Sequence, residues 1–466
     1  MSQAGGIMSG RVRAAFLEAL LTMLAAFATM ACAYVLDPEP GPLTLAVVLA
    51  YALSRSHLDR DLRGRLEAAV ILPMVSLAAL GVGFLLLHYP WVGAGAFVIG
   101  MGISIWMRRF GPLPRRAGAL IGMPFIVILI TPYTPSTRIG PMMAALIPIL
   151  VALLALFWVA IFHALGRKLK WLSPLPGEPQ AKRAEEAAST LRPVASTRMA
   201  LQMMVALALA FAVGYLIFPQ RWAWVVLTAY IVNAGNQGRL DVAYKSVLRM
   251  LGAMLGTVLA LSAVVHVGTH DDFTLALILA AVFLGIWLRP ISYAWWALFV
   301  TLALALLQGF EGQAAESLLV LRMQEIGIGA IIGVASAWLV FPVRSRHVLR
   351  RRIADALAAL GDALDPTIEP RTSVAFGVSI EKVERVAPAL RATRMATRRS
   401  RKVQPADWID TLIGCRDPAI ALIEAGKTPP EVRRAVGSAR KAMREPDAIH
   451  RALTDLRDAL DNEHTG

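Results

Sequence analysis

The chain has 466 residues, 57% of them hydrophobic and only 17% charged, with a mean hydropathy of +0.58. Its apolar residues come in runs rather than amphipathic stripes, which excludes an ordinary soluble domain and predicts an all-α polytopic membrane protein. The net charge of +15 does not indicate nucleic acid as a partner, because the basic residues cluster at the ends of apolar runs, where the positive-inside effect puts them.

In chain order, Arg11 and Arg13 precede an apolar run from about Ala14 to Leu36. With Ala31-Cys32-Ala33 near its end, this run imitates a secretory signal. It is nevertheless long enough to span, contains Glu18 and has a counterpart later in the chain, so cleavage is not expected. A turn at Asp37 to Pro42 leads to a short run, Leu43 to Leu53, and then to a loop carrying Arg55, Arg60, Arg63 and Arg65. Further runs lie at about Leu66–Leu87, Trp91–Met107, Ala117–Ile130 and Pro141–Leu165, the last followed by Arg167, Lys168 and Lys170. A linker from Trp171 to Ser196, rich in Pro, Ala and charge, separates these from runs at Met199–Phe218, Trp222–Ala234, Val247–Val267, Phe273–Leu288, Ser292–Gln308 and Leu318–Phe341.

The two blocks align with an offset of about 180 residues, sharing their order of long and short runs. Leu58-Asp59 matches Leu240-Asp241, Trp106 with Arg108 matches Trp287 with Arg289, and Arg63 falls opposite Lys245. The expected architecture is therefore about 12 transmembrane helices in two parallel six-helix repeats, residues 1–170 and 197–342, joined by the linker 171–196. Loop arginines and lysines fall almost entirely on one side, with only Arg138 and Arg221 on the other, which predicts cytoplasmic termini. From Val343 the composition turns charged, Ala-rich and helical, predicting a cytoplasmic helical domain over residues 343–466. Cys32 and Cys415 fall on distant segments, and neither a disulfide nor a Cys-based zinc site is expected.

The pattern RWAWVVLTAYIV, a polar loop, then KSVLRMLGAMLGTVLAL, and later LRMQEIGIGAIIGVASAWLVFPV resembles the fusaric acid resistance and aromatic acid exporter family. Its membrane module is similar to that of aluminium-activated malate transporters. The stretch from about Thr197 to Val343 carries the resemblance. It implies an inner-membrane protein that moves small organic anions, in some members with a periplasmic adaptor protein. Unlike the larger exporters, this chain has only a short linker between its halves.

The expected function is a secondary transporter exporting small organic acids, driven by a proton gradient or the membrane potential. The rivals are a passive organic-anion channel and a non-transporting membrane scaffold. Short helices in equivalent positions of two repeats often flank a substrate site, and Leu43–Leu53 and Trp222–Ala234 are each shorter than the roughly 20 apolar residues a span needs. Asn233, Asn236 and Gln237 supply amides that can bind a carboxylate; ordinary caps of a helix end are the alternative. Lys245 and Arg249 share a helical face, and Arg249 can receive an organic anion at a cytoplasmic mouth. The alternative is an arginine snorkelling to lipid phosphate. Gly252 and Gly256 continue that face and read as a close packing seam. By alignment Arg249 falls opposite Glu67, which suggests an ion pair between the halves.

Arg322, Gln324 and Glu325 lie inside the last run, where Arg322 and Glu325 are expected to neutralise one another or to line a wet cavity; Glu325, then Glu18 and Glu67, are the candidates for proton coupling. Seams such as Gly329 to Gly333 suggest a homodimer. His88, His266 and His270 with Asp271 and Asp272 read as interfacial residues rather than a metal site. Arg391, Arg394 and Arg398 form a basic face directed to acidic lipid or solvent. No phosphate-binding Gly-rich loop, nucleophilic triad or protease motif is present, so neither an enzyme nor a bound cofactor is expected.

Overall fold

A computed structural model of the chain describes residues 2–56, 62–110, 112–130, 140–171, 194–267, 272–310, 315–367, 372–397 and 403–465. Every regular element in it is helical. Most of the expected linker (172–193), Leu58-Asp59, Arg60, Arg138, His270, Asp271 and Arg398 lie outside the described residues, as do the side chains of Arg63, Arg108, His266 and Asp272.

The chain divides into two compact units. The first holds α1 (Ser2–Leu36), α2 (Pro40–Ser56), α3 (Leu62–His88), α4 (Pro90–Trp106), α5 (Pro112–Ile130) and α6 (Pro141–Lys168), then α7 (Val194–Ile217), α8 (Trp222–Asn233), most of α9 (Arg239–Val267), α10 (Asp272–Leu288), α11 (Tyr293–Phe310) and α12 (Ala315–Leu339). Prolines open α4 and α6 at their first turns, where a missing N–H costs nothing. Pro73, Pro124 and Pro148 sit inside helices, which apolar spans tolerate because neighbouring helices re-satisfy the freed carbonyls.

Among the described residues six helical stretches are long and apolar enough to cross a membrane: Val12–Leu36, Gly64–His88, Ala145–Lys168, Ser196–Ile217, Arg239–Ala263 and Val320–Leu339. Between them lie shorter apolar helices, and the order long, short, long, short, short, long occurs twice. The packing repeats as well. Helices α1, α2 and α6 contact one another pairwise, as do α7, α8 and α12; α4 lies against α7, and α10 against α1.

Each long helix sorts its side chains by face. On α9, Val247, Met250, Leu251, Met254, Leu255 and Val258 are exposed, while Ser246, Arg249, Ala253, Thr257 and Ala260 are buried. An apolar outward face with small and polar residues inward suits a helix that meets hydrocarbon on one side and other helices on the other. Gly252 and Gly256 form the anticipated seam: a Cβ on Gly252 would come within 2.8 Å of Ala297 and Leu298, and one on Gly256 within 2.5 Å of the Leu298 carbonyl.

The second unit comprises residues 342–466 with 235–244, so the loop after α8 groups with the C-terminal part rather than with the second block of apolar helices. Its helices are α13 (Ser345–Ala363), α14 (Val374–Glu384), α15 (Ala387–Ala396), α16 (Pro405–Gly414), α17 (Arg416–Glu424), α18 (Pro430–Ala442) and α19 (Ile449–Thr465). They are amphipathic. Val432, Val436 and Ala439 put one face of α18 into a core shared with Leu349, Phe376, Trp408 and Leu456. Gly235 and Gly238 take φ of 63° and 116°, which L side chains rarely adopt. Gly238 approaches Ser345 so closely that a Cβ would lie 2.6 Å from its hydroxyl, while Arg239 N–H donates to the Val343 carbonyl at 3.0 Å.

Arg391 and Arg394 do not present a free basic face. Arg391 pairs with Asp410 at 2.6 Å, and Arg394 with Asp407 at 2.7 Å and Asp410 at 2.8 Å. The carboxylates come from the first turns of α16, which sequence spacing on α15 alone cannot reveal. Cys32 and Cys415 are free.

Candidate functional site

Helix α8 is only 12 residues, about 18 Å along its axis, and is buried from Trp224 through Ala229 and again at Val232 and Asn233. Its closest approach is to α12. There Gly329 and Gly333 stand one turn apart: a Cβ on Gly329 would lie 2.6 Å from the Val225 carbonyl, and one on Gly333 2.4 Å from Val232. This seam is therefore spent inside the chain, against α8, rather than kept for a second copy.

The same faces of α8 and α12 carry polar groups. Arg221, just before α8, donates from Nε to Glu325 Oε1 on α12 at 2.7 Å; the carboxylate is fully buried and Arg221 largely so. Glu325 thus has an ion pair to Arg221 that spacing did not show, in addition to lying within Coulombic range of Arg322. Arg322 instead lays its guanidinium over the Trp224 ring, 4.5 Å from its centre. Three residues apart on one helix, Arg322 and Glu325 share a face but direct their heads to different neighbours. Gln324 is exposed. Thr228 Oγ1, Asn233 Oδ1 and Ser336 Oγ line the seam, buried and without hydrogen-bond partners among the described residues.

Arg249 belongs to this set. It is 0% exposed, so it does not snorkel to lipid. Arg322 is within Coulombic range of it, as well as of Arg221 and Glu325. Nη1 of Arg249 donates to Thr301 Oγ1 on α11 at 3.3 Å, and Thr301 in turn donates to the Ala297 carbonyl at 2.7 Å. Nε and Nη2 have no hydrogen-bond partner among the described residues. The anticipated pair with Glu67 is not made: the inward face of α9 turns Arg249 toward α11. Nε–H and one Nη2–H lie on the same edge of the planar guanidinium, spaced for the two oxygens of a carboxylate. Arg249 is buried without an ion pair among the described residues, and its side-on edge has no hydrogen-bond partner among them.

Some of the other candidates make local hydrogen bonds, while the side-chain oxygens Asn233 Oδ1 and Gln237 Oε1 have no hydrogen-bond partner among the described residues. Lys245 donates to the Ala234 carbonyl at 3.4 Å, and Asn233 Nδ2 to the Ala229 carbonyl at 3.0 Å. Asn236 Oδ1 accepts from Gly238 N–H, and Gln237 N–H donates to Asp241 at 3.1 Å. Asn236 and Gln237 are in the C-terminal unit. The carbonyl of Glu18 accepts from Thr22 at 2.8 Å, and Glu67 is half-buried on α3. His88 stacks on Phe84, with Nδ1 3.0 Å from the Phe84 carbonyl.

Three groups escape sequence reasoning. Arg221 reads as an outer-loop charge until α12 brings Glu325 to it. Arg289 donates to the Tyr51 hydroxyl and stacks 5.0 Å from the centre of Trp296, a link between α2 and the α10–α11 turn that no spacing announces. His163 is buried on α6, with Nε2 2.9 Å from Ser54 Oγ; a lone histidine within the apolar run 141–165 is its only signal.

Apolar helices arranged in this way define an all-α, multi-pass membrane protein whose charged side chains Arg221, Arg249, Arg322 and Glu325, buried or largely so, include more cations than anions. Residues 200–336 match the family described as fusaric acid resistance protein-like, a membrane transporter-type family, and the match spans the α7–α12 segment that holds all four of these side chains. No curated protein and no solved structure matches the chain.

Proposed function

We propose that the chain is a secondary transporter of the bacterial inner membrane that exports small organic acids, aromatic carboxylic acids foremost, rather than an enzyme. The observation that carries this reading is Arg249: fully buried, anchored by Nη1 to Thr301, with its Nε/Nη2 edge unpartnered among the described residues. A carboxylate is the group that fills such an edge with two charge-assisted hydrogen bonds. The neighbouring Arg221 and Arg322 bias the site toward anions, and Trp224 on α8 adds aromatic surface against Arg322. The twice-occurring order of long and short helices and the reciprocal packing of α4 on α7 and α10 on α1 support two parallel six-helix repeats, about 12 spans in all. In this reading both termini are cytoplasmic, lipid surrounds α1–α12, and a periplasmic adaptor protein is the partner in export.

Reconstitution in proteoliposomes tests it. Wild type accumulates one or more radiolabelled organic acids against a gradient, and Arg249→Lys, which keeps the charge but loses the fork, lowers affinity by about tenfold or more. Arg249→Gln abolishes uptake while keeping the detergent-solubilised protein monodisperse and helical. Flux that only dissipates gradients identifies a channel instead. Absence of flux across a panel of aromatic and aliphatic carboxylates identifies a scaffold.

A further inference from the structure

A second group of cations in the membrane unit takes no part in the site described above. Arg55 stands in the last turn of α2 and Arg289 just after α10. Both donate from Nη1 to one oxygen, the Tyr51 hydroxyl, Arg55 at 3.3 Å. The Arg55 guanidinium lies 5.9 Å from the centre of the Tyr51 ring; that of Arg289 lies 5.7 Å from the same ring and 5.0 Å from the Trp296 ring. Arg289, Tyr51 and Trp296 are half-buried and Arg55 is exposed, so the cluster is within reach of a ligand.

Its donors outnumber its acceptors. A phenolic oxygen has two lone pairs and one proton, and the two guanidinium N–H groups take the lone pairs, which leaves the Tyr51 proton for another partner. Among the described residues that proton has no acceptor, and neither guanidinium forms an ion pair. Glu18 is within Coulombic range of Arg55 but makes no salt bridge to it. Two heads that donate to one oxygen lie within about 7 Å of each other, inside the Debye length of about 8 Å at physiological salt, so bulk ions do not screen them. A structural staple between α2 and the α10–α11 turn needs one arginine. Two, with a hydroxyl proton added, make a three-donor site for an oxyanion.

Tyr293 connects this cluster with Arg249. It opens α11, packs at 5.5 Å against Trp296, and is within Coulombic range of both Arg289 and Arg249. About two turns further along α11, Thr301 holds Nη1 of Arg249. One helix thus borders both groups of cations. A phospholipid phosphate also matches three donors, but the link through Tyr293 favours the carboxylate of the acid that Arg249 receives.

We propose that Arg289, Arg55 and the Tyr51 hydroxyl form a second carboxylate site, in which the transported acid waits before it passes Tyr293 to Arg249. This rests on the transporter reading above. The transfer is a change of hydrogen-bond partners alone: the carboxylate stays ionised and no covalent bond changes.

The test uses the full chain in phosphatidylcholine nanodiscs with radiolabelled benzoate as the probe. Wild type is expected to bind two benzoates per chain at saturation, and Arg249→Gln and Arg289→Gln one each. Tyr51→Phe keeps the ring but removes the hydroxyl, and weakens the binding event that Arg289→Gln removes by about tenfold, the worth of one charge-assisted hydrogen bond. In proteoliposomes Arg289→Gln raises the KM for benzoate uptake by about tenfold or more, with the loss falling on KM rather than on kcat. Should Arg289→Gln fail to fold, Arg55→Gln, whose head is exposed, is read in the same way. A single benzoate per wild-type chain, lost in Arg249→Gln and kept in Arg289→Gln, overturns the second site and leaves the Arg249 reading standing. The second site also fails if phosphatidylglycerol copurifies with wild type and is lost in Arg289→Gln while benzoate binding is unchanged, because the donors then hold a lipid phosphate. Wild type that binds no benzoate overturns both.

Discussion

Asp407 shows how single residues set the C-terminal unit. Burial pushes its carboxyl upward, but the backbone N–H of Gln404 at 2.7 Å and the Arg394 guanidinium at 2.7 Å outweigh that, and the net shift is below the ordinary carboxylate value. A carboxylate depressed on folding stabilises the fold at every pH above its unfolded value, and the contribution is lost as pH falls through the folded one. Asp407→Asn is therefore expected to lower the melting temperature of the C-terminal unit at pH 7. The gap to wild type should close as pH falls below about 4. Arg394 is largely solvated, so the effect at high salt is expected to be smaller; a gap that persists unchanged at pH 3 contradicts this account. Arg249 illustrates the opposite regime, in which no solvent screens the charge and one hydrogen bond to Thr301 fixes which edge of the guanidinium is offered.

At the scale of elements, the contact of α8 with α12 is decided by the absence of side chains. Gly329 faces a backbone carbonyl, which cannot move aside as a flexible side chain can. Gly329→Ala is expected to cost about 1–3 kcal/mol, the range for overpacking a tight interface, and to move the Arg221–Glu325 pair out of register. Gly327, two residues away, has open space where a Cβ would stand, with nothing within 4 Å, and provides the control. Gly327→Ala should leave stability unchanged or slightly improve it, because Ala is the better helix former. Thermal unfolding of both variants in detergent, with uptake measured in parallel, separates the two; equal losses would mean the seam is not what holds α8. The shortness of α8 matters for the same reason, since a helix of about 18 Å leaves its polar ends within the apolar region, where α12 and the residues around Arg221 must satisfy them.

For the whole molecule, the two units have cores of different kinds. The membrane unit buries large apolar residues such as Phe97, Phe211 and Leu49 but also exposes many, among them Leu66, Met74 and Phe157, whereas the C-terminal unit buries Leu349, Ile353, Leu360, Trp408 and Leu456 and exposes charge. Burial of that kind is driven by water and needs no bilayer. A fragment of residues 343–466 is accordingly expected to be soluble, helical by circular dichroism and cooperative in thermal unfolding. A non-cooperative melt would show that the 235–244 segment, whose Leu240 packs on the same core, is indispensable to it.

The all-helical class, the lengths and order of the apolar helices, the change of composition at Val343 and the family resemblance of the second block were all legible in the sequence. These depend on composition and local periodicity, which neighbouring residues express regardless of the rest of the chain. Which charges meet was not legible. Sequence spacing pairs Arg322 with Glu325 because they are three apart, and alignment pairs Arg249 with Glu67, yet the packing of α8 on α12 gives Glu325 to Arg221 and the α9–α11 seam gives Arg249 to Thr301. The chain Thr22, Ser54, His163 likewise joins residues that are 32 and 109 positions apart. Only tertiary structure decides such partners, because the direction in which a helix turns a given residue is set by which neighbour its small-residue face can approach.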